Sequence, residues 1–302
     1  MAARAFPLPT VWTREQLVVA RTTSIEHFIA ERRAADPAAW ADQFAEVKVL
    51  VETVFEQTDN LLSISAGTLL EQPDVWWHVL RYCCGPPVSE EDLWTYVGGP
   101  KFKKVTSSWA EGTAQVFRDF VDDVRFPWVR ESRGPSDFEL ARAIDATIMP
   151  LAQQRFATKG RGRASERQEA FVASTLAEAN FKNEQSTSEI TVLDQLKRGH
   201  FSRERKLAGD KCDVPLRLAD GRILAIECKA SNGPKNGWKR LVREVGGKAE
   251  TWRTNFGTQV VTAAVVSGVY DLSCLERGQD RGVFLFWEHD LQPLLSFAAS
   301  AT

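Results

Sequence analysis

The sequence lacks any hydrophobic run long enough to cross a membrane. A transmembrane helix needs roughly 18 consecutive apolar residues, and no stretch of this 302-residue chain is that long. Its five cysteines have no regular spacing, which argues against the disulfide framework of a small secreted domain. Internal repeats and low-complexity tracts are also missing from the sequence. We therefore expect a cytoplasmic globular protein with reduced thiols and no membrane partner.

A large net charge is absent as well, but the charges are unevenly distributed. The whole chain carries a formal charge of −2. Residues 155–253 contain 21 lysines and arginines against 13 aspartates and glutamates, whereas the rest of the chain is acidic. A basic half in a nearly neutral protein is the pattern expected where a polyanion binds, although a solvated basic surface would give the same count.

Apolar residues at helical spacing dominate the first half of the chain. They predict helices over residues 13–62, with a break at Asp36-Pro37 because proline favours the first position of a helix. Further helices are predicted over residues 67–83, 89–97, 108–124 and 136–157. The tryptophans of this half are expected in its core rather than in base stacking. We therefore predict an all-α N-terminal region over residues 1–157.

The pattern changes after Gly160. Short β-rich runs alternate with helices, which is typical of an α/β sheet domain. The predicted strands cover residues 212–218, 222–229, 258–266 and 282–287, and the predicted helices cover residues 165–180, 238–254 and 289–299. The run Lys159-Gly160-Arg161-Gly162-Arg163 looks like an exposed basic connector. We therefore predict a second domain over residues 158–302.

The segment 212–229 carries the pattern of a catalytic hairpin. Asp220-Gly221 lies between two short apolar runs and predicts a tight turn. Side chains alternate between the two faces of a strand, so Glu227 and Lys229 share one face while their alternating neighbours point into the core. An acid and a lysine two residues apart on one face converge on the same point, which is the geometry of a Glu-x-Lys motif.

The length of the hairpin loop decides whether Asp213 joins them. A two-residue loop would place Asp213 opposite Cys228, on the wrong face. A three-residue loop over residues 219–221 pairs it with Glu227, and the glycine at the end of that loop tolerates the left-handed conformation it favours. We predict the longer loop, or else a bulge near Pro215, which cannot donate to the ladder.

Two carboxylates and a lysine suit the hydrolysis of a phosphodiester. A hard cation holds the scissile phosphate and lowers the pKa of the attacking water, and magnesium is bound by one or two carboxylates together with water and substrate oxygens. Asp213 and Glu227 are therefore the predicted Mg2+ ligands. Lys229 would orient the water or stabilise charge in the transition state. Glu169, on the preceding helix, is expected to support the site, with Glu166 as the alternative.

A polar, basic segment follows the catalytic strand. Asparagine, lysine and arginine read base edges, and lysine and serine also hold phosphates. The predicted DNA-binding residues are Ser231, Asn232, Lys235, Asn236, Lys239 and Arg240. An ordinary loop with helix-capping polar residues is the alternative. A second basic run, from Lys197 to Lys211, either grips the DNA backbone or forms a solvated turn.

This pattern resembles the PD-(D/E)xK nuclease superfamily and, within it, the XamI-type family of type II restriction endonucleases. The residues that carry the resemblance over roughly 165–300 are Asp213, Glu227-Cys228-Lys229, Ser231-Asn232, Asn236, Lys239-Arg240-Leu241, Lys248-Ala249, Trp252, Phe256-Gly257, Val265-Val266-Ser267-Gly268-Val269, Leu285-Phe286-Trp287 and His289. Cys212 stands where the superfamily pattern has proline, which is often missing there.

The resemblance has consequences for fold and function. It implies an α/β restriction-endonuclease-like core, in which helices flank a mixed central sheet, beside the all-α N-terminal region. It also implies magnesium-dependent cleavage of double-stranded DNA at a short palindrome. A homodimer would match the two-fold symmetry of such a site, and a cognate DNA methyltransferase is expected in the same host.

Other functions are compatible with the same residues. A modification-dependent or repair nuclease would share the site, with the helical half reading a modified base. A catalytically inert DNA-binding protein would share the fold, but it has no chemical reason to keep Asp213, Glu227 and Lys229 together. An α/β protein unrelated to nucleic acid would show no salt-dependent affinity for DNA.

Overall fold

A computed structural model describes residues 6–301 of the chain. The chain divides into two compact units. One unit contains residues 35–159, and the other contains the segment that ends at Ala34 together with the residues from Gly160 onward. The chain passes between the units inside two long helices, α1 (Arg14–Gln57) and α7 (Asp137–Glu178).

Helix α1 passes through the predicted break at Asp36-Pro37 without interruption. A proline inside a helix removes one hydrogen bond and crowds the carbonyl group four residues earlier. Residues 31–35 are exposed, so water can solvate the one carbonyl group that loses its helical partner. The alanines on both sides of Asp36-Pro37 also have the highest helix propensity of any residue. The predicted break is therefore wrong.

Helix α7 likewise contains the predicted connector. Residues 159–163 are mostly exposed, as expected, but they are helical. Each glycine in a helix costs about 1 kcal/mol relative to alanine, and the many good helix formers on both sides of Gly160 and Gly162 offset that cost. The helices predicted over 136–157 and 165–180 are consequently one helix, and the exposed basic run expected to connect them is part of it.

Five shorter helices complete the unit of residues 35–159. They are α2 (Ala66–Glu71), α3 (Trp76–Leu80), α4 (Glu90–Val97), α5 (Ser107–Phe120) and α6 (Pro127–Arg130). Their apolar faces enclose one core, in which Trp77 and Trp128 are fully buried. Trp94 and Trp109 pack partly buried against that core. The expected role of these tryptophans in packing is confirmed.

The other unit is built on a mixed sheet. Within residues 6–301 its strands, in spatial order, are β1 (Lys182–Asn183), β2 (His200–Phe201), β5 (Val214–Arg217), β6 (Ile223–Asn232), β7 (Val260–Val269) and β8 (Phe284–Trp287). Strands β3 (Arg205–Leu207) and β4 (Asp210–Cys212) form a separate hairpin. Strand β6 is antiparallel to β5 and parallel to β7, and β7 is parallel to β8. The four predicted strands correspond to β5–β8.

Helices cover both faces of this sheet. The α- and π-helical elements that follow the sheet strands are α8 (Pro234–Gly237), a π-helical segment (Trp238–Val245), α9 (Gly246–Phe256), α10 (Leu272–Asp280) and α11 (Gln292–Ser300). One face of the sheet packs against α11 and the end of α7, where Val172 and Leu176 are fully buried. The opposite face packs against the π-helical segment, α9 and α10. The predicted restriction-endonuclease-like α/β core, with its helical N-terminal region, is confirmed.

The crossover between β6 and β7 positions the site. Parallel neighbours cannot be joined by a tight turn and need a longer connection, usually a helix. Here that connection contains α9, whose Trp252 packs against Ile223 and Ala225 of β6. These two residues point to the same side of β6 as Glu227, because side chains alternate along a strand.

The N-terminal segment also belongs to the sheet-containing unit. The Trp12 indole Nε1 donates to the Leu285 carbonyl at 2.7 Å, and Leu17 is fully buried in the core beside β7 and β8. In the described part of the chain, no helix combines the length and the apolar character needed to span a membrane.

Candidate active site

The β5–β6 hairpin has the predicted three-residue loop. Its register pairs Val214 with Ile226, and one step further along the hairpin brings Asp213 opposite Glu227. At the loop, Gly221 adopts a φ of +95°, a conformation open to glycine because it has no Cβ. The register that places both carboxylates on one face is therefore confirmed.

Asp213, Glu227 and Lys229 meet at one point. The Lys229 Nζ lies 2.7 Å from Asp213 Oδ2 and 2.8 Å from Glu227 Oε2. The backbone N–H of Cys228 donates to the same Asp213 oxygen at 2.8 Å. The Glu227 side chain is completely buried, and those of Asp213 and Lys229 are only 8% and 12% exposed. Charges so deeply buried need partners. Here the Lys229 ammonium is the partner of both carboxylates, and they are its partners.

Burial and neighbouring charges set the protonation of this group. Burial raises the pKa of Glu227, an effect that Lys229 opposes and Asp213 reinforces. Burial alone would lower the pKa of Lys229, but the carboxylates of Glu227 and Asp213 outweigh it, so the pKa of Lys229 is raised. Lys229 is therefore an ammonium at neutral pH. In this state it can donate hydrogen bonds and stabilise negative charge, but it cannot accept a proton.

Glu169 lies on α7, and its carboxylate interacts electrostatically with that of Asp213. The residue is 5% exposed. Its Oε1 accepts a hydrogen bond from the Ser165 hydroxyl at 3.2 Å, and its Oε2 lies 3.8 Å from an Arg203 guanidinium nitrogen. Burial, and then the charge of Asp213, raise the pKa of Glu169. Glu166, the alternative, is exposed one turn earlier.

The donor atoms suit a hard divalent cation. Asp213 Oδ2 and Glu227 Oε2 both lie within hydrogen-bond distance of one ammonium nitrogen, so both oxygens can face one cation. Among residues 6–301, no group of three or more histidine, cysteine, aspartate and glutamate side chains is placed to hold a metal ion. Magnesium commonly takes one or two protein carboxylates and completes its shell with water and phosphate oxygens. A pair of carboxylates therefore fits it.

The sequence interpretation missed Lys248 as a site residue. This lysine lies on α9, and its Nζ is 2.9 Å from Oε1 and 2.8 Å from Oε2 of Glu227. It also donates to the Lys211 carbonyl. A signal was present in the sequence, because Lys248 lies between the fully buried Val245 and Trp252 at helical spacing. A lysine within an apolar helical stripe needs a buried acidic partner.

In the segment after β6, some side chains are exposed and others are hydrogen-bonded within the protein. Lys235 and Lys239 are exposed. Arg240 is half-buried, and its guanidinium donates to the Ala230 carbonyl at 2.8 Å. Trp238 is 39% exposed between the two lysines. The segment thus displays positive charge and an aromatic ring directly beyond β6.

The polar residues at the start of this segment contact one another. Ser231 is 2% exposed, and its hydroxyl donates to the Gly233 carbonyl at 2.9 Å. The side-chain amide of Asn236 donates to the Asn232 side-chain carbonyl at 3.0 Å. Ser231 therefore shapes the turn that leaves β6, while Asn232 lies exposed at its surface.

Comparisons with known proteins place the chain in a family. The family model described as XamI restriction endonuclease matches residues 59–287, which include the hairpin site, α9 and the segment after β6. The chain belongs to the XamI restriction endonuclease family. One curated relative is the type II restriction enzyme XamI of Xanthomonas campestris pv. amaranthicola. It is 32% identical over 271 residues, which cover 87% of this chain and 98% of the relative. No solved structure matches the chain. The family resemblance read from the sequence is confirmed.

Proposed function

We propose that this protein is a type II restriction endonuclease that cuts both strands of DNA at a short palindromic site in the presence of magnesium. The observation that carries the proposal is the contact of one ammonium, that of Lys229, with both Asp213 and Glu227, in a chain of the XamI family. Asp213 and Glu227 would hold Mg2+, which when bound lowers the pKa of a water molecule and offsets charge on the phosphate.

The protein's own side chains have separate tasks in this proposal. Lys229 keeps its proton because two carboxylates surround it, so it donates to the attacking water or to a non-bridging phosphate oxygen as negative charge develops. Glu169 supports the site from α7, where Ser165 and Arg203 orient its carboxylate. The burial of Glu227 keeps bulk water away from the carboxylate face that the reacting groups would share.

The segment after β6 is the proposed DNA contact. Lys235 and Lys239 would bind backbone phosphates, since both are exposed cations. Asn232 and Asn236 would read base edges, for which their amide groups are suited. Arg240 would reach DNA from its half-buried position. Ser231 serves the contact indirectly by fixing the turn through Gly233.

The proposed assembly follows from the symmetry of the substrate. A palindrome has a two-fold axis, and a homodimer mirrors it with one nuclease site for each strand. All of the proposed site residues lie in the proposed nuclease domain, residues 158–302. The helical N-terminal region is proposed over residues 1–157, of which the segment that ends at Ala34 belongs to the same compact unit as the sheet. A cognate DNA methyltransferase in the same host would protect the host's own copies of the site, in a cytoplasmic setting.

The test is digestion of unmethylated phage DNA by the purified protein, with magnesium and with EDTA. We expect discrete fragments only with magnesium, and sequencing of their ends gives the site and the stagger of the cut. The matched variant is Lys229→Ala, which should lose cleavage yet retain DNA binding in calcium. Cleavage of methylated DNA alone would instead indicate a modification-dependent nuclease, and binding without any cleavage would indicate an inert fold.

A further inference from the structure

Lys248 is bound to Glu227 more symmetrically than Lys229 is. Its Nζ lies 2.9 and 2.8 Å from the two carboxylate oxygens, whereas the Lys229 Nζ lies 2.8 Å from one of them. Between them the two ammonium groups occupy both oxygens of a side chain that has no exposed surface. A divalent cation that binds Glu227 must therefore share these oxygens with the two ammonium groups or displace one of them.

The contacts identify which ammonium withdraws more easily. Lys229 is held by Asp213 as well as Glu227 and is 12% exposed. Among residues 6–301, Lys248 has one carboxylate partner, Glu227, and its other hydrogen bond goes to the backbone carbonyl of Lys211. Its side chain is 22% exposed, so it is the more accessible of the two. A lysine side chain is a flexible chain of four carbons, so the ammonium can turn away while the backbone of α9 stays in place.

We propose that Lys248 is a tethered cation that competes with the divalent metal for Glu227 and thereby weakens metal binding by the DNA-free protein. The inference rests on the proposed function, because it concerns the same metal site. Lys248 is a positioning residue in this scheme, since it acts through Glu227. Once displaced, its ammonium remains beside the carboxylates as a free donor, available to a phosphate that enters the site.

Competition and a purely structural role predict opposite changes in metal affinity when Lys248 is replaced. If Lys248 only fixed α9 against β6, its loss would disorder Glu227 and weaken metal binding. If it competes, Lys248→Met should bind the metal more tightly. A charge-assisted hydrogen bond is stronger than a neutral one, and partial exposure to solvent weakens it. We therefore expect calcium to bind Lys248→Met about five- to tenfold more tightly than the wild-type protein.

The experiment is calorimetric titration of the whole protein with calcium chloride alone, without DNA. Lys211→Met is the matched control. It also removes a cation close to Asp213, but the Lys211 ammonium contacts Glu204 at 2.6 Å rather than Glu227. Lys248→Arg keeps the charge and should bind calcium as the wild-type protein does. Equal affinity in Lys248→Met and the wild-type protein would overturn the inference, as would an equal gain in Lys211→Met.

A measurement on the unaltered protein guards against misfolding of the variant. Lysine acylation followed by mass spectrometry should modify Lys248 several-fold faster in calcium than in EDTA, because calcium frees its ammonium. An unchanged rate would overturn the inference. Failure of calcium to bind any variant would overturn the metal site, and with it the proposed function, whereas equal binding to all variants would remove only the role of Lys248.

Discussion

Replacing Lys229 with methionine perturbs the site at its centre. Methionine keeps most of the length of the side chain but removes the ammonium that lies 2.7 Å from Asp213 and 2.8 Å from Glu227. Two nearly buried carboxylates then share one cation fewer. Asp213 keeps the N–H of Cys228, and Glu227 keeps Lys248, so neither is left without a partner.

The cost can be worked from these contacts. Removing one partner of a buried ion pair destabilises a protein by about 3–5 kcal/mol, because the other charge is left uncompensated. The side chain of Lys229 is 12% exposed, so solvent screens the interaction only weakly. The partners that remain place the loss near the lower end, at about 3 kcal/mol. For a chain of 302 residues this corresponds to a fall in Tm of roughly 4–6 °C.

Thermal unfolding followed by circular dichroism, in EDTA and in magnesium, measures this loss. We expect magnesium to restore part of the stability of Lys229→Met, because a bound cation again faces both carboxylates. Cleavage should fall by at least about 100-fold, while DNA binding in calcium persists. Lys182→Met, at an exposed position on β1, is the control. A Tm in EDTA within about 2 °C of the wild-type protein would refute the reasoning, since buried carboxylates cannot lose a shared cation without cost.

Three further outcomes are expected. Gly268→Ala should lower the free energy of unfolding in urea by roughly 3 kcal/mol or more, because its Cβ would overlap the Ser231 carbonyl. Gly209→Ala, at the same φ of +86° but in open space, should lower it by only about 1 kcal/mol. Burial lowers the pKa of His78 to about 4, so the unfolded chain binds the proton more tightly. Stability should therefore fall as pH drops from about 6.5 to about 4, by roughly 1–2 kcal/mol because solvent screens a side chain that is 31% exposed. His78→Gln should flatten that part of a pH series of unfolding curves. Lys235→Ala should leave the Tm unchanged and reduce the slope of log affinity for DNA against log salt by about 1, and an unchanged slope would exclude a phosphate contact.

The sequence was sufficient to predict the hairpin, because several local rules agreed there. Asp220-Gly221 marked the turn, strand alternation put Glu227 and Lys229 on one face, and the need to pair Asp213 with Glu227 selected the three-residue loop. Each rule involves residues close along the chain. The structure reproduces that register, and it buries the side chains on the other face of β6.

Features that depend on distant residues could not be predicted in the same way. The break expected at Pro37 rests on a local rule, and the exposure of the preceding turn lowers the penalty that the rule assumes, because water can bind the carbonyl group left without its helical partner. Lys248 follows Glu227 by 21 positions, and only the packing of α9 across β6 brings them together. Strands β1 and β2 contain two residues each, which is too few for alternation to be recognised.

The end of β6 is fixed by residues from two other parts of the chain, α1 and the end of β7. Gly268 of β7 pairs with Ser231, and the Ser24 hydroxyl accepts from the Gly268 N–H at 2.9 Å and donates to its carbonyl at 3.1 Å. The Tyr270 hydroxyl donates to the Lys229 carbonyl at 2.6 Å. Because Lys229 and the segment after β6 lie on the same strand, a shift of one would move the other. The contacts from α1 and from the end of β7 therefore hold the proposed catalytic ammonium and the proposed DNA contact at a fixed separation, which a nuclease needs if cleavage is to occur at one phosphate relative to the bases that it reads.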